Sequence, residues 1–481
     1  MTSSQVRVLN ISHVRPVQTD GASPPVQGEH KLSFMDLLQI SKTIQRLFFF
    51  DGPDLPPFPT VVSALRSSLT ATLAVFPPLA GELAFRPVSG SGDVVIDSSP
   101  RRHRLLPSSP GVRFVEAEFA GGADAMRRLA RVDAHDAEAF ARLVPELLEA
   151  RRLPAPVLAV QVTRPAAGAG AVAVGVSIAH AMADGHAVWQ FLRAWSTASR
   201  EGPASLAAPG FVPPTFDRAG IRHPKSAELV RSVLSRVAPA LPLLRPASSK
   251  PEIMEPSRRT FLLRAEEIRS LKQHILERSG AASRGNGEPP EPPSTYVAVT
   301  SLAWASVARA TPAMLDADDA HLMVSADCRR RLRLPLGNGF FGTCVKAGHA
   351  RARAGDLRGA AGVARAAAAI RRAIRAHLEE GDPLSDAEGW LAAYGAVPKE
   401  RLVTVGSSNR FAAYETDFGW GAPRRVELVS LFAPRMVTLL GARDGGVHVS
   451  VALDGATMDA FAASFAVPAP VPAAGAVSVA R

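Results

Sequence analysis

The sequence predicts an α/β fold in two halves of similar size, each built on a mixed β-sheet flanked by helices. Apolar stretches typical of strands alternate with stretches of helical periodicity in both halves. A chain of 481 residues is too long for one ordinary domain. Between about residues 201 and 256, proline is frequent and the periodicity weakens. We therefore expect two domains, at 1–205 and 258–481, joined by a linker at 206–257.

The elements of the first half are predicted from their apolar periodicity. The segment 61–76 has apolar residues at helical spacing and stops at Pro77 and Pro78, which cannot continue a helix. Helical spacing also predicts short helices at 123–131 and 137–150. Runs or alternations of apolar residues predict four strands, at 6–17, 94–96, 112–117 and 157–163.

A strand followed by a helix, at 171–195, is the most informative stretch of the chain. Along 171–180, valine, isoleucine and finally His180 alternate with small residues, so both faces can be covered closely, as inside a sheet. Apolar residues at helical spacing, from Val188 to Trp195, then follow Asp184. The pattern places His180 at the end of an internal strand, just before a turn, where sheet proteins often carry their chemistry.

The second half repeats the alternation of strands and helices. Ser294 is a candidate N-cap for a helix that contains Val297 and Trp304. A strand at 321–326 runs into a basic cluster that begins at Arg329. A further helix is expected at 265–277, and further strands are expected at 259–263, 403–405, 426–432, 436–440 and 447–453.

Composition narrows the class of partner. Lysine and arginine exceed aspartate and glutamate by 55 to 44, and this net charge of +11 favours a phosphate-bearing ligand. Nucleic acid is not expected, because aromatic residues are only 6% of the chain and no zinc-finger, helix-turn-helix or RNP-like pattern is present. The two cysteines, Cys328 and Cys344, make no disulfide framework and have no zinc-ligand spacing, which fits a reducing compartment.

The sequence also gives no sign of a secretory signal or a membrane-spanning segment. The first ten residues contain no apolar signal core. The longest runs of apolar and small residues are shorter than a membrane span. We therefore predict a soluble protein of the cytosol that does not insert into membranes.

His180, Asp184 and Gly185 form a His-x-x-x-Asp-Gly motif. A lone histidine at a strand end is usually structural, but a histidine that titrates near neutrality can accept a hydroxyl or amine proton in a transition state. We expect His180 to be that general base. Asp184 fits two roles, orienting the imidazole or capping the helix that follows, and the structural role is favoured. His186 is expected on the helix surface rather than as a second base.

A second motif, Asp-Phe-Gly-Trp-Gly, occupies 417–421 between two predicted strands. Glycines on both sides of Trp420 indicate a tight loop with unusual backbone angles and a large apolar anchor. By itself this pattern indicates only a turn. No Gly-x-Ser-x-Gly, P-loop, His-Glu-x-x-His or Gly-x-Gly-x-x-Gly fingerprint is present, which removes several common enzyme classes.

Taken together, in this order and in opposite halves, the two motifs resemble the HxxxD and DFGWG signatures of the plant BAHD family of acyltransferases. The segment 340–344 is similar to the YFGNC segment of the branch that acylates anthocyanins and phenolic glucosides. Here Phe340 replaces the tyrosine and Thr343 replaces the asparagine. The resemblance covers nearly the whole chain.

The resemblance implies two chloramphenicol-acetyltransferase-like domains with an active-site channel between them. It implies that acyl-CoA reaches His180 from one side and the acceptor from the other. No metal, no permanently bound cofactor and no acyl-enzyme are implied, and acyl-CoA is a co-substrate. The family's usual state implies a monomer.

The resemblance also assigns roles to other residues of the site. Asp184, counted with His180 as the catalytic motif, would point away from the substrates and pair with Arg329. The segment 407–411 matches a strand that lines the channel, so Ser408 and Arg410 are candidates for contact with CoA or substrate. The second signature would be architectural, outside the reaction centre, through Asp417, Gly419, Trp420 and Gly421.

The leading functional hypothesis is transfer of a malonyl or related acyl group from CoA to a sugar hydroxyl of a phenolic or flavonoid glycoside. The nearest alternative is a hydroxycinnamoyl-CoA donor with a hydroxyl or amine acceptor. A third alternative is a non-catalytic protein that binds small molecules. A peptide-synthetase condensation domain also carries His-x-x-x-Asp-Gly, but it usually has a second histidine where this chain has Ala179.

Overall fold

The computed structural model describes residues 6–16, 28–88, 91–99, 111–147, 152–244, 257–282 and 291–467. Sixteen strands lie within these ranges. They are β1 Val6–Val14, β2 Glu29–Lys31, β3 Thr43–Asp51, β4 Glu82–Val88, β5 Ser91–Asp97, β6 Val112–Phe119, β7 Ala155–Pro156, β8 Leu158–Pro165, β9 Ala171–Ala179, β10 Ser257–Leu263, β11 Asp319–Asp327, β12 Val345–Arg353, β13 Leu402–Val405, β14 Arg425–Leu428, β15 Met436–Gly441 and β16 Val447–Leu453.

Twelve α-helices accompany these strands in the same ranges. They are α1 Phe34–Leu37, α2 Phe58–Val75, α3 Gly122–Arg131, α4 Ala137–Arg142, α5 Gly185–Glu201, α6 Ser226–Val237, α7 Ala265–Ala282, α8 Thr295–Ala310, α9 Ala354–Arg358, α10 Gly362–Ile374, α11 Trp390–Ala396 and α12 Gly455–Ser464. The helix predicted at 137–150 ends at Arg142, and its last part, from 148, lies outside the described residues.

The first sheet has six strands in the order β1-β6-β8-β9-β3-β14. Strands β6 and β8 are parallel, whereas the other neighbours are antiparallel, so the sheet is mixed as predicted. Its edge strand β14 comes from the second half of the sequence and pairs with β3. The two halves of the chain are therefore joined by backbone hydrogen bonds and not only by side-chain packing.

The second sheet has the order β10-β16-β15-β13-β11-β12 and is also mixed, because β13 runs parallel to both of its neighbours. A third, antiparallel sheet has the order β2-β5-β4-β7 and was not predicted. Its edge strands β2 and β7 have only three and two residues, and only part of β5 was visible as an apolar run in the sequence. The predicted α/β class is confirmed, with an additional small sheet in the first half.

Strand β9 is the central strand of the first sheet and pairs with β8 and β3. Every one of its residues is buried. Its small-residue face is covered by the chain near Val144: a Cβ on Gly175 would lie 2.2 Å from the carbonyl oxygen of Leu143. The hydroxyl of Ser177 donates to the carbonyl of Pro145 at 2.5 Å. The predicted close approach to this face is thus confirmed.

The linker predicted at 206–257 contains helix α6 and runs along both halves of the chain. Its segment 245–256 lies outside the described residues. Near its start, the backbone N–H of Thr215 donates to the carbonyl of Gly339, and the N–H of Phe341 donates to the carbonyl of Thr215. These bonds attach the linker to the segment that resembles YFGNC. The domain boundaries at 205/206 and 257/258 stay a prediction.

Among the described residues, helix α2 alone is long and apolar enough, by length and composition, to cross a membrane. In the structure this helix packs on α5. Its Leu65, Leu69 and Leu73 are fully buried. The indole N–H of Trp195 on α5 donates to the carbonyl of Leu65 and to the hydroxyl of Ser68. The apolar face of α2 is therefore covered by the protein itself.

Candidate active site

His180 follows β9 directly and begins the turn before α5, so the predicted strand is one residue too long. Two hydrogen bonds fix the backbone of His180: its N–H donates to the carbonyl of Lys42 at 2.9 Å, and its carbonyl accepts from the side-chain hydroxyl of Thr343 at 3.0 Å. The imidazole packs against the ring of Phe432, with 5.6 Å between ring centroids. The ring is thus held between elements from both halves of the chain.

The environment of the imidazole favours its neutral form. Burial is the main cause that lowers the pKa of His180 to about 4, and the positive charge of Lys42 lowers it further. The Lys42 ammonium lies over the same Phe432 ring, 5.7 Å from its centroid. Atom Nδ1 is buried and has no hydrogen-bond partner in the described part of the chain. The ring can therefore accept a proton at neutral pH.

Asp184 is the N-cap of α5. Its side chain accepts from the backbone N–H of Ala187 at 3.1 Å, which satisfies one of the free donors at the helix start. The residue is fully buried. The other oxygen accepts from the backbone N–H of Cys344 at 3.0 Å. Both carboxylate oxygens are thus engaged away from His180.

Arg329, just after β11, forms a two-pronged ion pair with Asp184. Its Nη1 and Nη2 lie 2.8 and 2.9 Å from the two carboxylate oxygens, and Nη2 also donates to the carbonyl of Gly342. Burial alone would raise the pKa of Asp184, but the guanidinium and the N–H donors hold it below its ordinary value. Burial would likewise lower the pKa of Arg329, and Asp184 raises it instead. Both groups are therefore charged at neutral pH.

The 340–344 segment connects the two residues of the first motif to the rest of the site. Its Thr343 donates its backbone N–H to Asp36 at 2.9 Å while its hydroxyl holds the His180 carbonyl. Asp36 is fully buried and also contacts Arg218 of the linker at 3.4 Å. Asp36 was not predicted as a site residue, although Ser33, three residues before it, forms a capping box with it, and this pattern is visible in the sequence.

The 417–421 loop lies at the opposite end of α5 from Asp184. The carboxylate of Asp417 accepts from the N–H groups of Gly419 and Gly421, whose φ angles of +107° and +90° place them in the region that favours glycine. Phe418 packs on Trp195 of α5, with 4.9 Å between ring centroids. Trp420 packs on Phe50 of β3 at 5.8 Å. The loop anchors α5 and does not contact His180.

Ser408 and Arg410 lie in a loop and not in a strand, so that part of the prediction is wrong. Strand β13 ends at Val405, and the Ser407 hydroxyl then replaces a backbone partner by bonding both the N–H and the carbonyl of Leu439. Arg410 is exposed, and its N–H donates to the Ser408 hydroxyl. The same loop brings Phe411 against Trp189 of α5, with 6.1 Å between centroids.

Two surface cavities, of 560 and 530 Å³, lie apart from this centre. The first is lined by the edge strand β10, α7 and Phe465, and the second by β1 and α2. Neither is lined by His180. His186 is exposed on α5, as predicted.

A histidine and a salt-bridged aspartate at the start of one helix, with an Asp-Phe-Gly-Trp-Gly loop against its other end, accord with the family comparison. The model of the Transferase family matches residues 18–467. The chain belongs to this family, the BAHD acyltransferases. The predicted enzyme class, an acyltransferase, is thereby confirmed.

Relatives with assigned activities are similar over long stretches of this BAHD protein. It is 27% identical over 479 residues to a malonyl-CoA:anthocyanidin 5-O-glucoside-6''-O-malonyltransferase of Arabidopsis thaliana, covering 97% of this chain and 98% of the relative. It is also 27% identical over 319 residues to a coumaroyl-CoA:anthocyanidin 3-O-glucoside-6''-O-coumaroyltransferase of the same plant, covering 64% and 65% of the two chains.

Among solved structures, vinorine synthase has a similar fold. The TM-score is 0.67 at 19% identity, with 95% of this chain and 96% of that chain covered. At this identity the likeness concerns the fold alone. It confirms the two-domain, chloramphenicol-acetyltransferase-like architecture that the sequence motifs implied.

Proposed function

We propose that this protein transfers an acyl group, with malonyl as the leading donor group, from coenzyme A to a sugar hydroxyl of a phenolic or flavonoid glycoside. The observation that carries the proposal is the neutral, partly buried imidazole of His180, whose backbone is hydrogen-bonded to Lys42 of the first half and Thr343 of the second. The names of the similar malonyl- and coumaroyltransferases supply the class of donor and acceptor. Acyl-CoA is a co-substrate in this proposal.

His180 acts as the general base in the proposed reaction. It takes the proton of the acceptor hydroxyl while the oxygen attacks the thioester carbonyl carbon. The tetrahedral intermediate then breaks its C–S bond, and the CoA thiolate leaves and recovers the proton from the imidazolium. Because Nδ1 is buried, we assign the proton transfer to Nε2. The acyl group passes directly to the acceptor, with no acyl-enzyme.

Asp184 supports this reaction by fixing the turn and not by contact with the imidazole. Its two oxygens are occupied by Arg329, by the Cys344 N–H and by the cap of α5. An aspartate that orients a catalytic histidine would have to bond a ring nitrogen, and Nδ1 of His180 has no partner within the described ranges. We therefore describe Asp184 and Arg329 as positioning residues.

Two other hypotheses give different experimental results. A hydroxycinnamoyl donor keeps the same base and requires an apolar slot for its ring. A non-catalytic binding protein would bind the ligands without turnover, but the engagement of the whole first motif around an unpartnered imidazole supports catalysis. A cytosolic monomer is part of the proposal.

The test uses purified full-length protein with malonyl-CoA and, separately, p-coumaroyl-CoA, against a panel of flavonoid and simple phenolic glucosides. Mass spectrometry identifies the products. We expect malonyl adducts from the wild type and from the control His186→Ala, which removes an exposed histidine of the same helix. Coumaroyl adducts without malonyl adducts would contradict malonyl-CoA as the donor. Binding of CoA thioesters with no adduct from any acceptor would favour the binding protein.

A further inference from the structure

Arg46 lies in the interior of the molecule, and no carboxylate of the described residues pairs with it. It stands on β3 and is 5% exposed. Its Nη1 donates to the neighbouring carbonyl of Gln45 at 3.0 Å, and its Nε is buried with no acceptor in the described part of the chain. Burial alone lowers the pKa of Arg46 to about 9, so the guanidinium keeps its charge at neutral pH.

The other buried arginines of the described ranges are paired. Arg329 forms an ion pair with Asp184, and Arg425 donates from Nε to Glu427 at 2.6 Å. Arg218, with 8% of its side chain exposed, has Asp36. A buried charge without a counter-charge is costly, and an anionic ligand bound beside it would remove that cost. Arg46 is thus the exception within the described chain.

Arg46 lies on the same face of the first sheet as His180. Arg46 is opposite Val176 in the β3–β9 pair, and the pair Ile44 and Ile178 comes next toward His180. Alternate residues of a strand point to one face, so His180, four residues beyond Val176, points to the face that carries Arg46. The charge of Arg46 acts on the imidazole as one of the causes that lower its pKa.

A second buried donor without an acceptor lies beside Arg46. The guanidinium carbon is 5.8 Å from the ring centroid of Trp189, on the first turns of α5. The indole N–H of Trp189 is itself buried with no partner in the described residues. Two unfilled donors on adjacent side chains match an acceptor group with two oxygen atoms and a negative charge.

We propose that Arg46 and Trp189 form a carboxylate subsite that binds the free carboxylate of a dicarboxylic acyl group while His180 acts on the acceptor. This inference rests on the proposed acyl transfer and goes beyond it by assigning the donor class. A malonyl-type donor would supply the anion that Arg46 lacks. A coumaroyl donor would leave both donors unfilled beside an uncharged ring.

The test compares malonyl-CoA with acetyl-CoA, which differ in that one carboxylate. In the wild type we expect malonyl-CoA to have the higher kcat/KM. In Arg46→Gln we expect kcat/KM for malonyl-CoA to fall at least about tenfold, as for loss of a hydrogen bond to a charged group, with acetyl-CoA changed by less than about twofold. Arg46→Lys should recover part of the preference, and Arg372→Gln, on the exposed side of α10, should change neither donor.

Equal losses with both donors, or no loss with either, would overturn the subsite. The subsite would also be overturned if Lys42→Gln lowered kcat/KM for malonyl-CoA alone and Arg46→Gln did not. If Arg46→Gln does not fold, Trp189→Phe is the variant that tests the subsite, because it keeps an aromatic ring and removes the N–H donor. A loss confined to malonyl-CoA would then support the subsite, and an equal loss with both donors would overturn it.

Calorimetry separates this inference from the proposed reaction. The donors are titrated into His180→Ala, in which turnover is blocked, and into the same protein with Arg46→Gln added. We expect malonyl-CoA to bind more tightly than acetyl-CoA only when Arg46 is present. If the wild type shows no transferase activity but this binding difference is found, the proposed reaction is refuted and the subsite stands. Equal binding of the two donors would refute the subsite.

Discussion

At the scale of the residue, the site depends on one imidazole whose neutrality comes from burial and from nearby positive charge. Asp184, which the motif could have assigned to the histidine, is instead bonded to Arg329 and to backbone N–H groups. The division of labour is therefore clear. In the proposed reaction His180 is the base, and Asp184 fixes the turn that positions it.

The pH dependence of the reaction follows from the pKa of His180. Its base form is the neutral ring, and the pKa lies near 4 rather than 6.5. Activity is thus complete above the pKa and is lost as the pH falls through it. We expect kcat/KM to be flat between pH 6 and 7.5 and to fall with an apparent pKa near 4, measured while circular dichroism shows that the protein stays folded. An acidic limb near pH 6.5 would contradict the effect of burial.

Replacing Asp184 by asparagine tests its structural role. The variant keeps an N-cap side chain but leaves Arg329 buried without its counter-charge, so we expect a loss of about 3–5 kcal/mol in the free energy of unfolding. Because the pKa of Asp184 is lowered on folding, this contribution is complete above pH 3.8 and is lost as the pH falls through the folded value. Urea unfolding at pH 7 measures it.

Asp327→Asn is the matched control for that measurement. Asp327 also lies near Arg329, at 3.2 Å, but 46% of its side chain is exposed. Solvent screens such pairs, and the expected loss is below about 1 kcal/mol. Equal losses in the two variants would show that burial of the Asp184 pair does not matter.

At the scale of the element, α5 carries the site between two fixed ends. Arg329 and the 340–344 segment hydrogen-bond to Asp184 at the start of α5. The 417–421 loop packs on Trp195 and hydrogen-bonds to the last turns of α5. The Ser199 hydroxyl donates to the Phe418 carbonyl at 2.8 Å. Both sequence signatures therefore stabilise one helix, and we expect changes in the 417–421 loop to reach the site through α5.

Gly419→Ala tests the second of these ends. At φ +107° an alanine is strained, so we expect a loss of about 1–3 kcal/mol in stability and a fall in kcat with His180 intact. Gly395→Ala is the control, because Gly395 lies in the exposed helix α11 with ordinary φ and open space around it. Alanine there should be neutral or stabilising by up to about 1 kcal/mol. A similar loss at both glycines would contradict the strain.

The sequence predicted these local elements better than their long-range partners. The N-caps at Ser294 and Asp184 and the strand β9 follow from local patterns, since capping and alternation are written within a few residues. The pairing of β14 with β3, and the contact of Asp36 with Thr343, join residues more than 300 positions apart. The spacing of apolar residues along the sequence does not predict contacts between such distant residues. The same holds for Arg46, whose missing counter-charge becomes visible only in the folded chain.

At the scale of the whole molecule, β14 and a buried polar network join the two halves, so we expect them to unfold as one cooperative unit. Glu427 on β14 accepts from Arg425 and lies 3.4 Å from His135 of the first half and from the hydroxyl of Thr260 on β10. Burial is the main cause that lowers the pKa of His135 to about 4, so this histidine is neutral at neutral pH. The network is therefore stabilised mainly by the Arg425–Glu427 pair.

Calorimetric melting tests this coupling. We expect one transition for the wild type, because unfolding either half would expose β3 and the aromatic contacts of Phe418. Glu427→Ala leaves Arg425 buried without its partner and should lower stability by about 3–5 kcal/mol. Two separate transitions in the wild type would contradict the cooperative unit.

The central claim is that His180 supplies the base of a direct acyl transfer. Its most direct test is kcat/KM with malonyl-CoA and a reactive glucoside for the wild type and His180→Ala, with melting temperature and CoA binding measured in parallel. We expect activity to fall by about 10²–10⁴, with folding and CoA binding unchanged. Retention of wild-type activity by the folded variant would contradict the claim.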